Sequence, residues 1–206
     1  MFELSDRQLL DAAALAFNPE WKKRGKFDGR FEEKWSGTAG QVLLLDGLGQ
    51  ARPNTSYFDG GIDFRVPLLT PKFTFGQPDP QTHLGIDLKM YPAYRSGGKE
   101  WSADYIQRSL SWFVATDQMT ETFLYEQTLF GVQHWIGGLP RASQFVGFIS
   151  RMRLEGLPVL SEGYIIKRPT FEWALKTDCV EVKPEMLTPF VFSHDMLYSM
   201  YQSLGL

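Results

Sequence analysis

The chain predicts a mixed α+β fold of the α/β sandwich type, a central sheet covered by helices. Three observations carry that reading. An apolar helical repeat opens the chain, with Leu9, Leu10, Ala13 and Ala16-Phe17 at i, i+3/i+4 spacing. Two short strands rich in β-branched and apolar residues follow, around Ile62 and Ile86. Further helical and extended segments then alternate to the end, with no internal repeat, low-complexity tract or dividing linker, so residues 1–206 read as a single domain.

Taken in order, Ser5 is a natural N-cap for the first helix, and Gln8 stands at the capping-box position. Asn18-Pro19 stops that helix. Trp21 to Arg30 reads as a basic, glycine-containing loop or arm. A second helix spans Glu32 or Ser36 to Leu48, with Val42, Leu43 and Leu45 apolar and Gly47-Leu48-Gly49 ending it. Residues 50–60 are turn chemistry. A strand from Ile62 to Leu68 comes next, then a short strand at Phe73-Thr74-Phe75, then a strand from His83 to Met90 closed by Pro92 and the Ser96-Gly97-Gly98 turn. A helix from Ser102 to Ser109 leads into a strand at Trp112–Thr116. Residues 121–136 have strand composition over a length that also permits a helix, and both remain open. Gln144–Ile149 is a strand, Arg151–Glu155 a short helix, and Glu162–Ile166 a last strand. The C-terminal extension, 170–206, ends in a loop and a helix from Ser193.

The composition is that of a folded protein: 43% hydrophobic, 22% charged and 15% aromatic over 206 residues. No apolar run approaches the roughly 20 residues of a membrane helix. The first residues lack the layout of a signal peptide. Cys179 stands alone, which excludes an intramolecular disulfide and a thiolate zinc cluster. A cytoplasmic protein with no membrane partner is the expectation. His83, His134 and His194 have no ligand spacing, although His83 lies four positions before Asp87. No Gly-x-Ser-x-Gly or phosphate-cradling glycine loop is present.

The net charge of −3 does not favour nucleic acid as a whole, but its distribution does at one place. Lys22, Lys23, Arg24, Lys26, Arg30 and Lys34 fall within thirteen positions, diluted by Asp28, Glu32 and Glu33. They read either as a solvated surface segment or as an arm that contacts phosphates.

The chemistry-bearing pattern is Gly61-Ile62-Asp63-Phe64 with Gly85-Ile86-Asp87-Leu88-Lys89. In an extended strand, side chains alternate faces, so Asp87 and Lys89 point one way and Ile86 and Leu88 the other. Two carboxylates and an ammonium at one point suit metal-dependent phosphodiester hydrolysis. Carboxylates hold a hard cation through oxygen, and a lysine can orient water or stabilise developing negative charge. A surface strand with a cross-strand ion pair has the same sequence appearance.

In these residues and their order, the chain resembles the PD-(D/E)XK nuclease superfamily, the restriction-endonuclease-like fold with a mixed central sheet flanked by helices. Asp63 matches the aspartate strand of that family and Asp87-Leu88-Lys89 its acid-x-Lys strand, 24 positions apart in the chain. Trp112–Asp117 and Phe145–Arg151 resemble its later strands, so the likeness covers about 32–168. It implies a DNA endonuclease or exonuclease using Mg2+ or Mn2+. Asp63, Asp87 and the carbonyl of Leu88 would bind metal, and Lys89 would position or activate water. Lys22 to Lys34, with Arg95 and Lys99, would hold phosphates, and Tyr91 and Tyr94 could line the groove. Members often pair as homodimers to cut two strands. One departure concerns the early helix, where the family often carries glutamate and this chain has Gln41; Glu32 or Glu33 could supply the acid instead. Gln41 is the expected accessory residue. Two alternatives stand beside the nuclease. One is a catalytically inactive protein of the same fold that binds nucleic acid or a protein partner. The other is an unrelated structural or phage α+β protein.

Overall fold

The structure, a computed structural model, describes residues 1–17, 31–47, 64–67, 83–94, 110–116, 126–167 and 172–190. It is a mixed α+β fold built on a mixed sheet. The first helix, α1 (Asp6–Ala16), starts as its sequence requires. Ser5 Oγ accepts from the Gln8 backbone N–H, and Gln8 Oε1 accepts from the Ser5 N–H at 2.9 Å, which closes the capping box. The second helix, α2 (Phe31–Gly47), packs against α1, and the Thr38 hydroxyl ties the two by donating to the Ala12 carbonyl at 2.8 Å.

The strands of the main sheet are β1 (Phe2–Glu3), β2 (Phe64–Pro67), β3 (His83–Tyr94), β5 (Glu126–Ile136), β6 (Leu139–Ser150) and β11 (Thr188–Pro189). Their order is β1-β6-β5-β3-β2, with β11 also on β6. All pairs are antiparallel except β3 with β5, which run parallel. The parallel pair needs a crossover between its strands, and the helix expected at 102–109 lies in that connection but outside the described residues, as do Phe73–Phe75 and the helix from Ser193.

Several local expectations change. The ambiguous 121–136 stretch is strand over Glu126–Ile136, as its aromatic and β-branched residues favour. Gly137 and Gly138, with φ of 60° and 79°, make the tight turn that joins it to β6, because both central positions of such a hairpin need positive φ. Pro92 does not end β3, which runs on to Tyr94. Strand β2 pairs only with His83–Ile86, so past Ile86 no β2 residue bonds that edge of β3, and a proline there costs no ladder bond to β2. Glu162-Gly163 is a turn and the strand is Ile165–Lys167 (β8), paired with β9 (Glu172–Ala174).

The two faces of the sheet are covered differently among the described residues. On one face α1 and α2 bury Leu9, Ala12, Ala39, Val42 and Leu44 against Ile86, Leu88, Leu129 and Phe148. On the other lies a second small sheet, β4 (Trp112–Ala115), β10 (Cys179–Val182) and β7 (Val159–Leu160), all antiparallel, joined by the one-turn helix α3 (Arg151–Glu155). Trp112, Val114, Val180, Val182 and Leu154 share a core there with Phe130, Val132 and Ile149. The Trp112 indole N–H donates across the layers to the Gly131 carbonyl at 3.2 Å, where β5 is bulged. Segment 172–190 therefore builds part of the second core.

Candidate active site

Strand β3 places two kinds of side chain on two faces. Ile86 and Leu88 go into the first core, and Met90 packs beside them. Asp87 and Lys89 go to the other face, at the margin of the second core, where Tyr91 and Ala93 continue the row inward. Neighbouring positions of β5 confirm the sorting: Leu129 belongs to the first core and Phe130 to the second, and they pair with Leu88 and Lys89.

The Lys89 ammonium lies 3.0 Å from Asp87 Oδ2. The Asp87 side chain is 10% exposed and that of Lys89 27%, so the pair sits at the edge of the interior rather than in open solvent. Burial in this range raises the cost of an unpaired carboxylate and strengthens its attraction to the ammonium. Next to Asp87 in the parallel register stands Thr128, then Ile149 on β6, all on this face. Thr128 is 1% exposed, and its buried hydroxyl has no hydrogen-bond partner among the described residues. Sequence reading did not single out Thr128. The signal it lacked was register, because a parallel pairing joins positions far apart in the chain. Arg151, the first residue of α3, is also buried and donates to Glu155 at 2.8 Å.

Of the residues expected in the site, Asp87 and Lys89 come together. The Leu88 side chain points into the first core, which leaves only its carbonyl for the role the resemblance assigns. Gln41 belongs to α2, and α2 covers the opposite face of β3: a Cβ on Gly40 would meet the side chains of Met90 and Leu88. Gln41 follows Gly40 on that helix, which lies across the sheet from Asp87 and Lys89. Glu32 and Glu33 are in the first turn of α2. That end of the helix reaches Trp135, whose indole N–H donates to Ser36 Oγ at 2.8 Å. Trp135 pairs with Tyr94, seven positions and roughly 23 Å along β3 from Asp87, so these acids are at the wrong end. Lys34 lies on α2 near the same end. Tyr91 packs against the second core. Asp63, Lys22, Lys23, Arg24, Lys26, Arg30, Arg95 and Lys99 lie outside the described residues.

A hard divalent cation takes oxygen ligands. On this face the described residues offer one anionic oxygen group, the Asp87 carboxylate, already paired with the Lys89 ammonium, so by themselves they do not make up a site for such an ion. Among the described residues no three His, Cys, Asp or Glu side chains converge. No protein-family model, curated protein or solved structure matches the chain. No helix among the described residues is long and apolar enough to cross a membrane.

Proposed function

We propose that this protein is a cytoplasmic metal-dependent DNA phosphodiester hydrolase of the PD-(D/E)XK type, with Asp87 and Lys89 at its centre and Asp63 as the second carboxylate. One observation carries the reading: the acid and the lysine of an acid-x-Lys strand lie 3.0 Å apart on one face of an interior strand, at the margin of a core. Asp87 supplies an anionic oxygen, paired at rest with Lys89. Lys89, more exposed than its partner, can swing its ammonium toward a phosphate oxygen or hold the attacking water through a hydrogen bond. The neighbouring low-dielectric core strengthens both interactions. Bound Mg2+ or Mn2+ would supply Lewis-acid stabilisation of the phosphoryl oxygens. Lys22 to Lys34, with Arg95 and Lys99, would contact phosphates without reading sequence. Cutting both strands of a duplex calls for two copies of such a one-centre chain about a twofold axis.

A second reading has its own observation. Lys89 already neutralises Asp87 at rest. A non-catalytic binder of nucleic acid or protein would need nothing more from this pair. Cleavage of plasmid and branched DNA with Mg2+ or Mn2+, run beside Lys89→Ala and Asp87→Ala, separates the two. The nuclease reading expects cutting by the wild type and a loss of at least about a hundredfold in both variants, with folding confirmed by circular dichroism. Full activity in either variant would remove the assignment.

A further inference from the structure

We infer that Phe17 is a stacking platform for an unpaired base of single-stranded DNA; the choice of DNA rests on the hydrolase reading above. Phe17, at the C-cap of α1, is 65% exposed. Its ring stacks on that of Phe31, the first residue of α2, with centroids 4.2 Å apart and planes 28° from parallel. Phe31 in turn leans on Trp35 at 5.2 Å, and Trp35 meets Trp135 edge-on at 5.5 Å. Trp135 is buried, and its indole N–H is fixed on Ser36 Oγ at 2.8 Å. A row of rings thus runs from the interior out to Phe17, whose second face is turned to water. A ring backed in this way gives up little side-chain freedom when a planar group covers it. Every base has a π-face to offer it.

The charges around the ring select a polyanion. Phe17 and Phe31 flank the segment 18–30, which carries Lys22, Lys23, Arg24, Lys26 and Arg30 against Glu20 and Asp28. That segment lies outside the described residues, but the stacked rings hold its two anchors together, so chain connectivity tethers its cations to this end of the molecule. Lys34 follows on the same side of α2, one turn after Phe31. Positive charge of this kind draws in a phosphate backbone, and a single strand brings unpaired bases with it, whereas a duplex keeps its bases stacked on one another. A second copy of the chain docked ring to ring would set two basic segments of like sign together, which disfavours that occupant.

The test is fluorescence anisotropy of labelled oligo-dT, and of a duplex of the same length, without divalent metal. Phe17→Leu keeps an apolar side chain and removes the π-face. It should melt as the wild type does, bind oligo-dT about tenfold more weakly and leave duplex affinity within about twofold. Phe17→Trp should bind oligo-dT at least as tightly as the wild type. The triple variant Lys22→Ala/Lys23→Ala/Arg24→Ala should instead flatten the dependence of log K on log salt by about 2, which Phe17→Leu leaves unchanged. Wild-type oligo-dT affinity in Phe17→Leu, an equal loss on duplex, or a dimer in ultracentrifugation that Phe17→Leu dissolves would overturn the inference. The hydrolase reading would then stand, since cleavage by Asp87→Ala and Lys89→Ala tests it separately. Oligo-dT binding that depends on Phe17, in a protein that cuts no DNA, would sustain this inference and favour the non-catalytic binder.

Discussion

Separating the Asp87–Lys89 pair by a double-mutant cycle tests whether this face is as enclosed as the structure has it. The unscreened attraction of unit charges 3.0 Å apart is about 5.5 kcal/mol at an effective dielectric constant near 20. Desolvation of the carboxylate and the partial exposure of Lys89 remove much of that. The pair lies between the exposed regime, about 0–1 kcal/mol, and the buried one, where losing one partner costs about 3–5 kcal/mol. We expect Lys89→Met to cost about 2 kcal/mol, because it strands a carboxylate that solvent hardly reaches, and Asp87→Asn about 1 kcal/mol. The double variant should cost only about 1 kcal/mol, giving a coupling near 2 kcal/mol. Equilibrium urea unfolding reads this directly: with a slope of about 2 kcal/mol per molar, Lys89→Met shifts the midpoint by about 1 M and the double variant recovers half of that. A coupling below about 0.5 kcal/mol would place both side chains in solvent and refute the argument from burial. The double variant also separates fold from function, since it should be well folded yet neither bind Mn2+ nor cut DNA.

Two glycines of unlike surroundings should respond in opposite directions. A Cβ on Gly147 would sit 2.5 Å from the Thr188 carbonyl and 2.7 Å from Leu187 Cβ, so Gly147→Ala should cost about 2–4 kcal/mol and speed amide exchange in β11. Gly37, inside α2 with nothing within 4 Å of an added methyl, should gain about 0.5–1 kcal/mol as alanine, read as a rise in melting temperature of a few degrees. Gln41→Glu restores the acid that the resembled family often carries. Because α2 covers the far face of β3, Mn2+ affinity should stay within about twofold, and a tenfold gain would show that position 41 reaches the ion after all.

The parts of the fold legible in the sequence are those set by local rules. Ser5 and Gln8 announce α1 because a capping box satisfies orphan N–H groups through neighbours three residues apart. Alternation in Ile86-Asp87-Leu88-Lys89 announces which side chains share a face, since strand geometry alone dictates it. Pro92 inside β3 is not legible, because its tolerance depends on what pairs with that edge of β3, a tertiary fact. Gly137-Gly138 was a readable hairpin signal between Ile136 and Leu139, and its weight would have settled the 121–136 stretch as strand. The second sheet was not legible: Trp112–Ala115 has the composition of any buried strand, and only pairing shows that it joins Cys179–Val182 instead of the main sheet. Thr128 was hidden for the same reason, being an ordinary polar residue until β5 is laid beside β3.

The division of β3 into two faces bears on how this chain could hold a costly polar centre at all. Ile86 and Leu88 are clamped by α2, and the close approach that Gly40 permits brings the helix backbone down onto Leu88 and Met90. The opposite face has the second core to fix its backbone through Phe130, Val132 and Ile149, yet at its margin it accepts a half-enclosed ion pair and an unpartnered hydroxyl. Thr128 on this face and Trp35 on α2 each bury a polar atom with no hydrogen-bond partner among the described residues, so such atoms are not confined to the face of Asp87. What separates a structural pair from a binding centre is therefore metal binding that Asp87→Asn abolishes, and not the unpartnered hydroxyl.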